Sequence, residues 1–347
     1  MKTFFLCCAG LTFALSASAQ LKRYQMALVG FYNLENLYDT IDNPLINDDD
    51  FTPKGLKQYG TAIFKDKLNK LAGVIADIGI SYAEDGLAIL GVAEIENDTV
   101  LQFLVKHPLI RKRNYHIVHA SSKDVRGVDV GLLYNPAYFT PIDAQKLFVS
   151  LPGNSKDAYY TRDILYCKGL LLDDTVHIYV NHWPSRRGGQ KRSAPARMAA
   201  AAVCRKHIDS IQSKNAKAKL IVMGDMNDDP IDKSISLGLR AKGRKDQLGS
   251  GELFNPWVWW FNNGIGTLAH RDRWGLFDQI ILSQGLLDKQ EEGFRFYREH
   301  IYSPAFLKEF TGKYRGYPMR TWDGNRYRGG YSDHFPTYVV LLKDINY

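Results

Sequence analysis

Eight residues decide the fold that we predict for this chain: LIVMGDMN, residues 220–227. The first four form a short apolar run, which is typical of a strand that is buried on both faces. A glycine, a carboxylate and an amide follow at the carboxyl end of that run. Because ligands of α/β sheets bind beyond the carboxyl ends of the strands, these residues predict a buried strand that ends at a binding site.

Other apolar runs also meet polar residues at one end. Asn33, Glu94 and His182 come just after the runs Met26–Tyr32, Leu87–Val92 and Val176–Val180. Asp278 and the pair Asp333-His334 come before the runs Gln279–Leu282 and Thr337–Leu342. A strand that runs antiparallel to its neighbours begins at the edge where they end. We therefore expect one sheet edge to collect Asn33, Glu94, His182, Asp225, Asn227, Asp278, Asp333 and His334.

Helical patterns alternate with these strands. The apolar residues of the first predicted helix recur at helical spacing, and polar residues that cap helices mark the starts of the next two. The predicted helices are Lys65–Ile78, Asn97 or Asp98 to Val105, and Ser193 to about Ile211, and further strands are Val130–Tyr134 and Ile164–Leu172. This alternation predicts an α/β architecture of mixed sheets flanked by helices.

The first residues resemble an export signal. Lys2 precedes the apolar run Phe4–Leu15, and the small residues of Ala17–Ala19 then form a cleavage pattern. We expect residues 1–19 to be removed and the protein to be secreted or periplasmic. No later apolar stretch is long enough for a transmembrane helix, so no membrane anchor is expected.

Composition narrows the class of partner. Residues 20–347 number 347 − 19 = 328, and we expect them to form a single domain because no repeat or long linker interrupts them. The chain carries 45 Lys and Arg against 37 Asp and Glu, a formal charge of +8. This balance favours a polyanionic partner such as nucleic acid. No obligate protein partner is evident.

Two cysteines remain after residues 1–19 are removed. They are Cys167 and Cys204, so they are the one pair that could form a disulfide.

The polar residues at the strand ends suit the cleavage of phosphate esters. That reaction needs a hard cation, a base for water and donors for the phosphoryl oxygens. Carboxylate and amide oxygens are the ligands that Mg²⁺ prefers, with Mn²⁺ or Ca²⁺ as alternatives. Glu94 is the expected principal ligand, with Asn33 nearby. The chain lacks an HExxH pattern, a phosphate-binding P-loop and a Gly-x-Ser-x-Gly elbow, which sets aside zinc proteases, nucleotide kinases and serine esterases.

The motifs resemble those of the endonuclease/exonuclease/phosphatase superfamily, in particular pancreatic-type deoxyribonucleases and their bacterial relatives. The matching motifs, in order, are Phe31–Asn33, Val92–Glu94, Asn181–Trp183, Gly224–Asn227, Phe277–Ile280 and Ser332–Pro336. The resemblance covers roughly residues 26 to 340. It implies a four-layer sandwich of two packed β-sheets with helices outside.

The resemblance also implies roles for the site residues. Glu94 would bind the metal, with Asn33 and Asp333 close to it. Asp225 and Asn227 would orient water and phosphate, and His334, paired with Asp278, would act on the nucleophile or the phosphate. His182 would assist the leaving group. Arg162 matches an arginine that contacts phosphate in the deoxyribonucleases, and a salt-bridged surface arginine is the alternative.

The substrate stays open among phosphate esters. The basic loop after His182 contains Arg186 and Arg187, which suit a nucleic-acid backbone unless the loop is simply solvated. A secreted nuclease for DNA or RNA is the first hypothesis. A phosphatase or phosphodiesterase for sphingomyelin-like lipids or for inositol and sugar phosphates is the second, because superfamily members share these motifs. A secreted binding module without catalysis is the third, and the complete set of site residues argues against it.

Overall fold

The structure is a computed structural model that describes residues 23–152, 160–288, 290 and 292–345. The predicted export signal, residues 1–19, lies outside the described residues and stays a prediction. Among the described residues, no helix combines the length and the apolar character that crossing a membrane requires.

Strands and helices alternate along the chain. The first elements are β1 (Arg23–Leu37), α1 (Thr61–Asp77), β2 (Ile89–Ile95), α2 (Asp98–Val105), β3 (His116–His119), β4 (Asp129–Tyr134), β5 (Phe139–Leu147), β6 (Ile164–Leu171), β7 (Asp174–His182), α3 (Gln190–Gln212) and β8 (Lys219–Asp225). The later elements are β9 (Ala241–Lys242), β10 (Leu253–Phe254), α4 (Trp257–Asn262), β11 (Leu268–His270), β12 (Arg273–Gly275), β13 (Asp278–Ser283), β14 (Arg295–Ile301), β15 (Trp322–Asp323), β16 (Arg326–Tyr327) and β17 (Thr337–Ile345).

Two large mixed sheets form the centre of the molecule. In the described part of the chain, the first sheet has six strands in the order β14-β17-β1-β2-β4-β3, and the second has seven in the order β5-β6-β7-β8-β13-β10-β9. In the first sheet, β1 runs parallel to β2 and antiparallel to β17. In the second sheet, β8 runs parallel to β7 and antiparallel to β13.

Three apolar clusters separate four layers. In β8, Ile221 and Met223 face the first sheet, whereas Leu220 and Val222 face α3 on the other side. The first sheet packs its opposite face against α1 and α2. Both faces of β8 are therefore buried, as its unbroken apolar run predicted. The layers are helices, sheet, sheet and helix, so the predicted four-layer α/β sandwich is confirmed.

A glycine lets the two sheets approach closely. A Cβ atom on Gly91 of β2 would lie 2.6 Å from Sδ of Met223 and 3.2 Å from Cγ1 of Val180. Real Cβ atoms do not come that close to another heavy atom, so the contact between the sheets needs glycine here. Glu94 follows three residues later on β2, and Asp225 follows Met223 on β8. The contact therefore lies close to the polar ends of both strands.

Several boundaries differ from those predicted. The helix α3 begins at Gln190, with Gly189 before it, so the predicted cap at Ser193 is wrong. Ser193 lies inside the first turn, where its Oγ donates to the carbonyl of Gly189 at 2.8 Å. Asn97 does cap α2, and its side chain accepts from the amide of Val100.

Cys167 and Cys204 do not form a disulfide. Both are buried and free, with Cys167 among the residues between the sheets and Cys204 on α3 beyond the second sheet. They lie on opposite faces of that sheet, so pairing would require the sheet to open.

Candidate active site

The ends of strands from both sheets meet at one edge of the sandwich. Asn33 and Glu94 come from neighbouring parallel strands of the first sheet. His182 pairs directly with Asp225 in the second sheet, and Asp225 pairs with Asp278 on its other side. The segment before β17 adds Asp333 and His334. The structure thus brings together the residues that the sequence placed at strand ends, while their chemical roles stay predictions.

Two carboxylates and an amide join the halves of the site. Nδ2 of Asn33 donates to Oε1 of Glu94 at 3.3 Å and to Oδ2 of Asp225 at 3.1 Å. Oδ1 of Asn33 accepts from the backbone amide of Glu35 at 2.9 Å, which fixes the orientation of the side-chain amide. Asn33 therefore turns its nitrogen, rather than its oxygen, toward the carboxylates. In this arrangement it orients the two acids, and its predicted role as a metal ligand stays untested.

The backbone adopts uncommon conformations at this edge. Glu94 has φ of +59° and Asn227 has φ of +48°, and Glu35 and Asn36 have φ of +48° and +57°. Residues other than glycine rarely occupy this left-handed region, and such conformations cluster at functional sites. In this conformation the backbone amide of Asn36 points at Glu94 and donates to its Oε2 at 3.0 Å.

His334 forms a buried pair with Asp278. Nδ1 of His334 lies 2.7 Å from Oδ2 of Asp278, which also accepts a hydrogen bond from the hydroxyl of Thr267. Burial alone would lower the pKa of His334, but the charges of Asp278, Asp225 and Asp333 outweigh it and raise that pKa well above its usual value. The imidazole is therefore held in its charged form, with Nε2 facing Asp225 at 3.9 Å.

His182 has the opposite environment. Its Nε2 lies 3.7 Å from Oε1 of Glu94 and 3.7 Å from Oδ2 of Asp225. Burial, together with the positive charges of Arg162, Arg126 and His334, lowers the pKa of His182 well below its usual value. Its imidazole is therefore neutral and has a lone pair available for a proton or a ligand.

The acids around Asp225 fit a bound cation. Burial raises the pKa of Asp225 to about 7; the charge of His334 opposes this rise, and those of Asp278 and Glu94 add to it. Ligand atoms of Glu94, His182 and Asp225 all lie within 4.8 Å of one another, as do those of Asp225, Asp278 and His334. Buried carboxylates that repel one another gain from a divalent cation between them, and hard cations prefer oxygen ligands. Glu94 and Asp225 are the residues that would hold it.

Asp333 lies at the exposed rim of the site. Its Oδ1 is 3.9 Å from Nε2 of His334, and its Oδ2 accepts from Nη2 of Arg320 at 2.8 Å. Its side chain is 31% exposed, so it lies where the site meets solvent.

Asn227 and Arg162 hold the backbone around His182. Nδ2 of Asn227 donates to the carbonyl of Trp183 at 2.9 Å, and its own amide donates to Asp225. Arg162 is buried, and its guanidinium donates to the carbonyls of His182 and Trp183 and to Asp124. The predicted phosphate contact of Arg162 is therefore not supported by this geometry, because its fork is occupied by protein groups.

The basic loop after His182 divides into two parts. The side chain of Arg186 donates to Asp229 at 3.0 Å and to Asp232 at 2.8 Å, and it lies 4.4 Å from the ring of Phe277. Its charge is matched by these acids, so the structure does not direct Arg186 at the site. Arg187 is exposed and directed to solvent.

A second group of residues lies beside the site, and its lysine was not predicted from the sequence. Lys67 on α1 is fully buried, and its Nζ donates to Oγ1 of Thr321 at 2.8 Å. Glu35 is 4% exposed and accepts from the backbone amides of Thr321 and Trp322. A lysine on the buried face of an amphipathic helix was the available signal, since lysine is almost never fully buried without a partner. The partners lie more than 200 residues away in sequence, so the pattern alone does not identify them.

Comparison with known proteins identifies a family. The sequence profile of the "Endonuclease/Exonuclease/phosphatase family" matches residues 28–343 of this chain. No curated protein is similar enough in sequence to count as a match. The profile covers nearly all of the described strands, including the six motifs that meet at the site edge.

Solved structures share the fold at low sequence identity. An endonuclease/exonuclease/phosphatase family protein from Bacteroides thetaiotaomicron has 16% identity over 93% of this chain and 100% of that chain, with a TM-score of 0.56. The mannosyl-6-phosphatase of the same organism has 16% identity over 91% and 99%, with a TM-score of 0.56. TDP2 from D. rerio, solved with single strand DNA product, has 14% identity over 91% and 98%, with a TM-score of 0.54.

Proposed function

Because this chain belongs to the endonuclease/exonuclease/phosphatase family, whose members hydrolyse phosphoric esters, we propose that it is a secreted nuclease that cleaves phosphodiester bonds in DNA or RNA. One observation carries the proposal: acids and histidines from both sheets converge within 4.8 Å in two overlapping groups that share Asp225. Such a cluster suits the cleavage of a phosphate ester, in which negative charge develops on the phosphoryl oxygens.

The two histidines divide the proton transfers. His334, kept charged by Asp278, can donate to a phosphoryl oxygen as negative charge develops there. His182 is neutral, so it can accept a proton or a hydrogen bond in the same site. Asp225 lies between the two imidazoles, at 3.7 Å from His182 and 3.9 Å from His334, and can orient water for attack. Environments that shift two titratable groups in opposite directions are typical of acid–base catalysis.

We propose Mg²⁺ as the metal, held by Glu94 and Asp225. A bound divalent ion would supply charge stabilisation to the phosphoryl group. Asn33 would keep the two carboxylates in register, because its amide donates to both. Members of the family use divalent metals, which agrees with this donor set.

Charge supports nucleic acid as the substrate. The chain has a formal charge of +8, and residues 303–331 beside the site contain six Lys or Arg and two acidic residues. A polyanion gains from such a surface, whereas a small monoester has too few charges to use it. The fold itself does not discriminate, because its structural neighbours include both TDP2 and a mannosyl-6-phosphatase.

The test uses supercoiled plasmid as substrate. The protein without residues 1–19 is incubated with Mg²⁺ or with EDTA, beside His334→Ala and Glu94→Gln. We expect Mg²⁺-dependent nicking that is lost in His334→Ala and that requires much more Mg²⁺ in Glu94→Gln. The controls make the same substitutions at an exposed histidine and an exposed acid. These variants, His116→Ala and Glu292→Gln, should nick like the wild type.

The outcome also separates the alternatives. Intact plasmid, together with release of phosphate from sugar or inositol phosphates or of choline phosphate from sphingomyelin, would replace the nuclease by a phosphatase or phospholipid phosphodiesterase. Tight binding of a phosphoester without turnover would indicate a binding protein instead. Secretion is tested separately, by locating the full-length chain and identifying its first residue after export.

A further inference from the structure

Arg320 is an exposed cation at the rim of the site, where it pairs with Asp333. Nη2 of Arg320 lies 2.8 Å from Oδ2 of Asp333, whose other oxygen is 3.9 Å from Nε2 of His334. One carboxylate therefore separates the guanidinium from the catalytic histidine. The side chain of Arg320 is 47% exposed, and a guanidinium has five N–H donors, so it can bind a further anion while it contacts Asp333.

The backbone next to Arg320 is fixed by a buried ionic group. Oε2 of Glu35 accepts from the amide of Thr321 at 2.6 Å, and Nζ of Lys67 donates to the hydroxyl of the same residue at 2.8 Å. Glu35 is 4% exposed and Lys67 is fully buried. Removing such charges from water is costly, and their hydrogen bonds here converge on the residue that follows Arg320.

An aromatic clamp fixes the other side of the same segment. Nζ of Lys57 lies 4.7 Å from the ring centre of Trp322 and donates to the carbonyl of Gly324 at 2.7 Å. The ring of Trp322 also packs 6.0 Å from that of Tyr59. The backbone that follows Arg320 is therefore held from two directions, and the ion pair with Asp333 directs its guanidinium toward the rim of the site before any substrate binds.

We propose that Arg320 is a specificity residue that binds the phosphate next to the scissile one in a nucleic-acid strand, and that Lys67 and Glu35 are its positioning residues. This inference rests on the proposed nuclease function. A bidentate guanidinium is the side chain that best matches a phosphate group. A substrate with one phosphate reaches the site without using Arg320, so the residue favours a polymer over a small ester.

The test compares two substrates in the wild type and in Arg320→Gln. One is a single-stranded oligonucleotide, and the other is bis(4-nitrophenyl) phosphate, a diester with a single phosphate. We expect Arg320→Gln to lower kcat/KM about tenfold more on the oligonucleotide than on the small diester, mainly through KM. The salt dependence of log kcat/KM on the oligonucleotide should become shallower by about 0.7.

Two further variants test the positioning residues. Lys67→Met should reproduce the rise in KM on the oligonucleotide, and adding it to Arg320→Gln should cause little further loss, because both changes remove one interaction. Glu35→Gln is a second test of the same kind if Lys67→Met does not fold. Arg111→Gln is the matched control, since Arg111 is exposed and lies before β3, at the sheet end opposite the site. It should behave like the wild type on both substrates.

Three results would overturn the inference. Equal losses on both substrates would mean that Arg320 acts through Asp333 on the site itself, and a changed Mg²⁺ requirement would point the same way. An Arg320→Gln enzyme that matches Arg111→Gln on the oligonucleotide would exclude any contact with substrate. A wild-type enzyme that hydrolyses the small diester but leaves the oligonucleotide intact would instead remove the nuclease function, and this inference with it.

Discussion

At the scale of residues, the site depends on how charge is placed around two histidines. Asp278 is fully buried and bonded to Nδ1 of His334, whereas the carboxylates of Glu94 and Asp225 lie 3.7 Å from Nε2 of His182, beyond hydrogen-bonding distance. A buried carboxylate that is bonded to one ring nitrogen fixes the orientation of the imidazole and stabilises its charged form. Asp278 is therefore the strongest of the charges that raise the pKa of His334, ahead of Asp225 and Asp333, whereas burial and the charges of Arg162 and Arg126 lower the pKa of His182.

Asp278→Asn tests this dependence. It keeps the size of the side chain and an acceptor for Thr267, but it removes the charge beside His334. We expect kcat/KM for phosphodiesters to fall about 100-fold or more, with little change in KM or Tm. Steady-state kinetics and thermal unfolding check it, with Asp246→Asn as the control at an exposed ion pair. Wild-type turnover by Asp278→Asn would contradict the role that we give the pair.

Sequence patterns identify site residues better than their orientations. The order of polar residues at strand ends placed Glu94, His182 and His334 at one edge, because strand direction decides which ends meet. It did not indicate that Asn33 presents its nitrogen to the acids or that Arg162 is enclosed by carbonyls. Those details depend on backbone segments that are distant in sequence and meet only in the folded protein.

At the scale of elements, edge strands were the hardest to predict. β5 and β14 are edge strands of the two sheets, and neither was predicted. β5 contains Pro141 and a run of exposed residues, and β14 has the sequence RFYREHI with three charged side chains and a histidine. Such residues protect sheet edges from pairing with other chains, and they also remove the apolar alternation by which strands are identified. Central strands such as β8 are paired on both sides, so they keep the apolar run by which a strand is identified.

A histidine on the outer face of the second sheet is expected to make the stability of the protein depend on pH. His177 on β7 lies 2.7 Å from the hydroxyl of Tyr166, and burial, with the charges of Lys168 and His207, lowers its pKa to about 4. In the unfolded chain the pKa of a histidine is near 6.5, so as the pH falls the unfolded chain binds the proton before the folded protein does. The stability that neutral His177 contributes is therefore complete above about pH 6.5 and is lost toward pH 4. We expect a loss of about 1–2 kcal/mol after allowing for partial exposure.

His177→Gln checks that pH effect. Urea unfolding of the variant between pH 7 and pH 4 should show a shallower decline than the wild type, by about the same 1–2 kcal/mol. His116→Gln, at an exposed position of β3, is the control and should follow the wild-type curve. Parallel curves for His177→Gln and the wild type would mean that the proton on His177 does not couple to folding.

At the scale of the whole molecule, the distance between the sheets sets the geometry of the site. Glu94 belongs to one sheet and Asp225 to the other, and the contact between Gly91 and Met223 lies just before both. Gly91→Ala should lower the free energy of unfolding by about 1–3 kcal/mol and reduce kcat, because the added methyl group separates the two acids.

A double-mutant cycle distinguishes this effect from general destabilisation. Met223→Ala removes the atom that the new methyl group would meet, at the cost of a cavity of its own. The double variant Gly91→Ala with Met223→Ala should therefore recover part of the activity lost in Gly91→Ala, measured at equal folded fraction. Strictly additive losses in kcat would show that the contact between residues 91 and 223 does not affect the geometry of the site.

The pairing of β1 with β17 has a consequence for when the enzyme becomes active. Arg23 pairs with Ile345 and Phe31 with Thr337, so β1 lacks one of its two neighbours in the first sheet until β17 is made. Contacts between residues so far apart in sequence form late and slowly during folding. His334 lies three residues before β17 and takes its place only when that strand docks. A chain whose synthesis has not yet reached β17 is therefore expected to lack hydrolytic activity, and under the nuclease function that we propose this order of strands would spare nucleic acid near the ribosome.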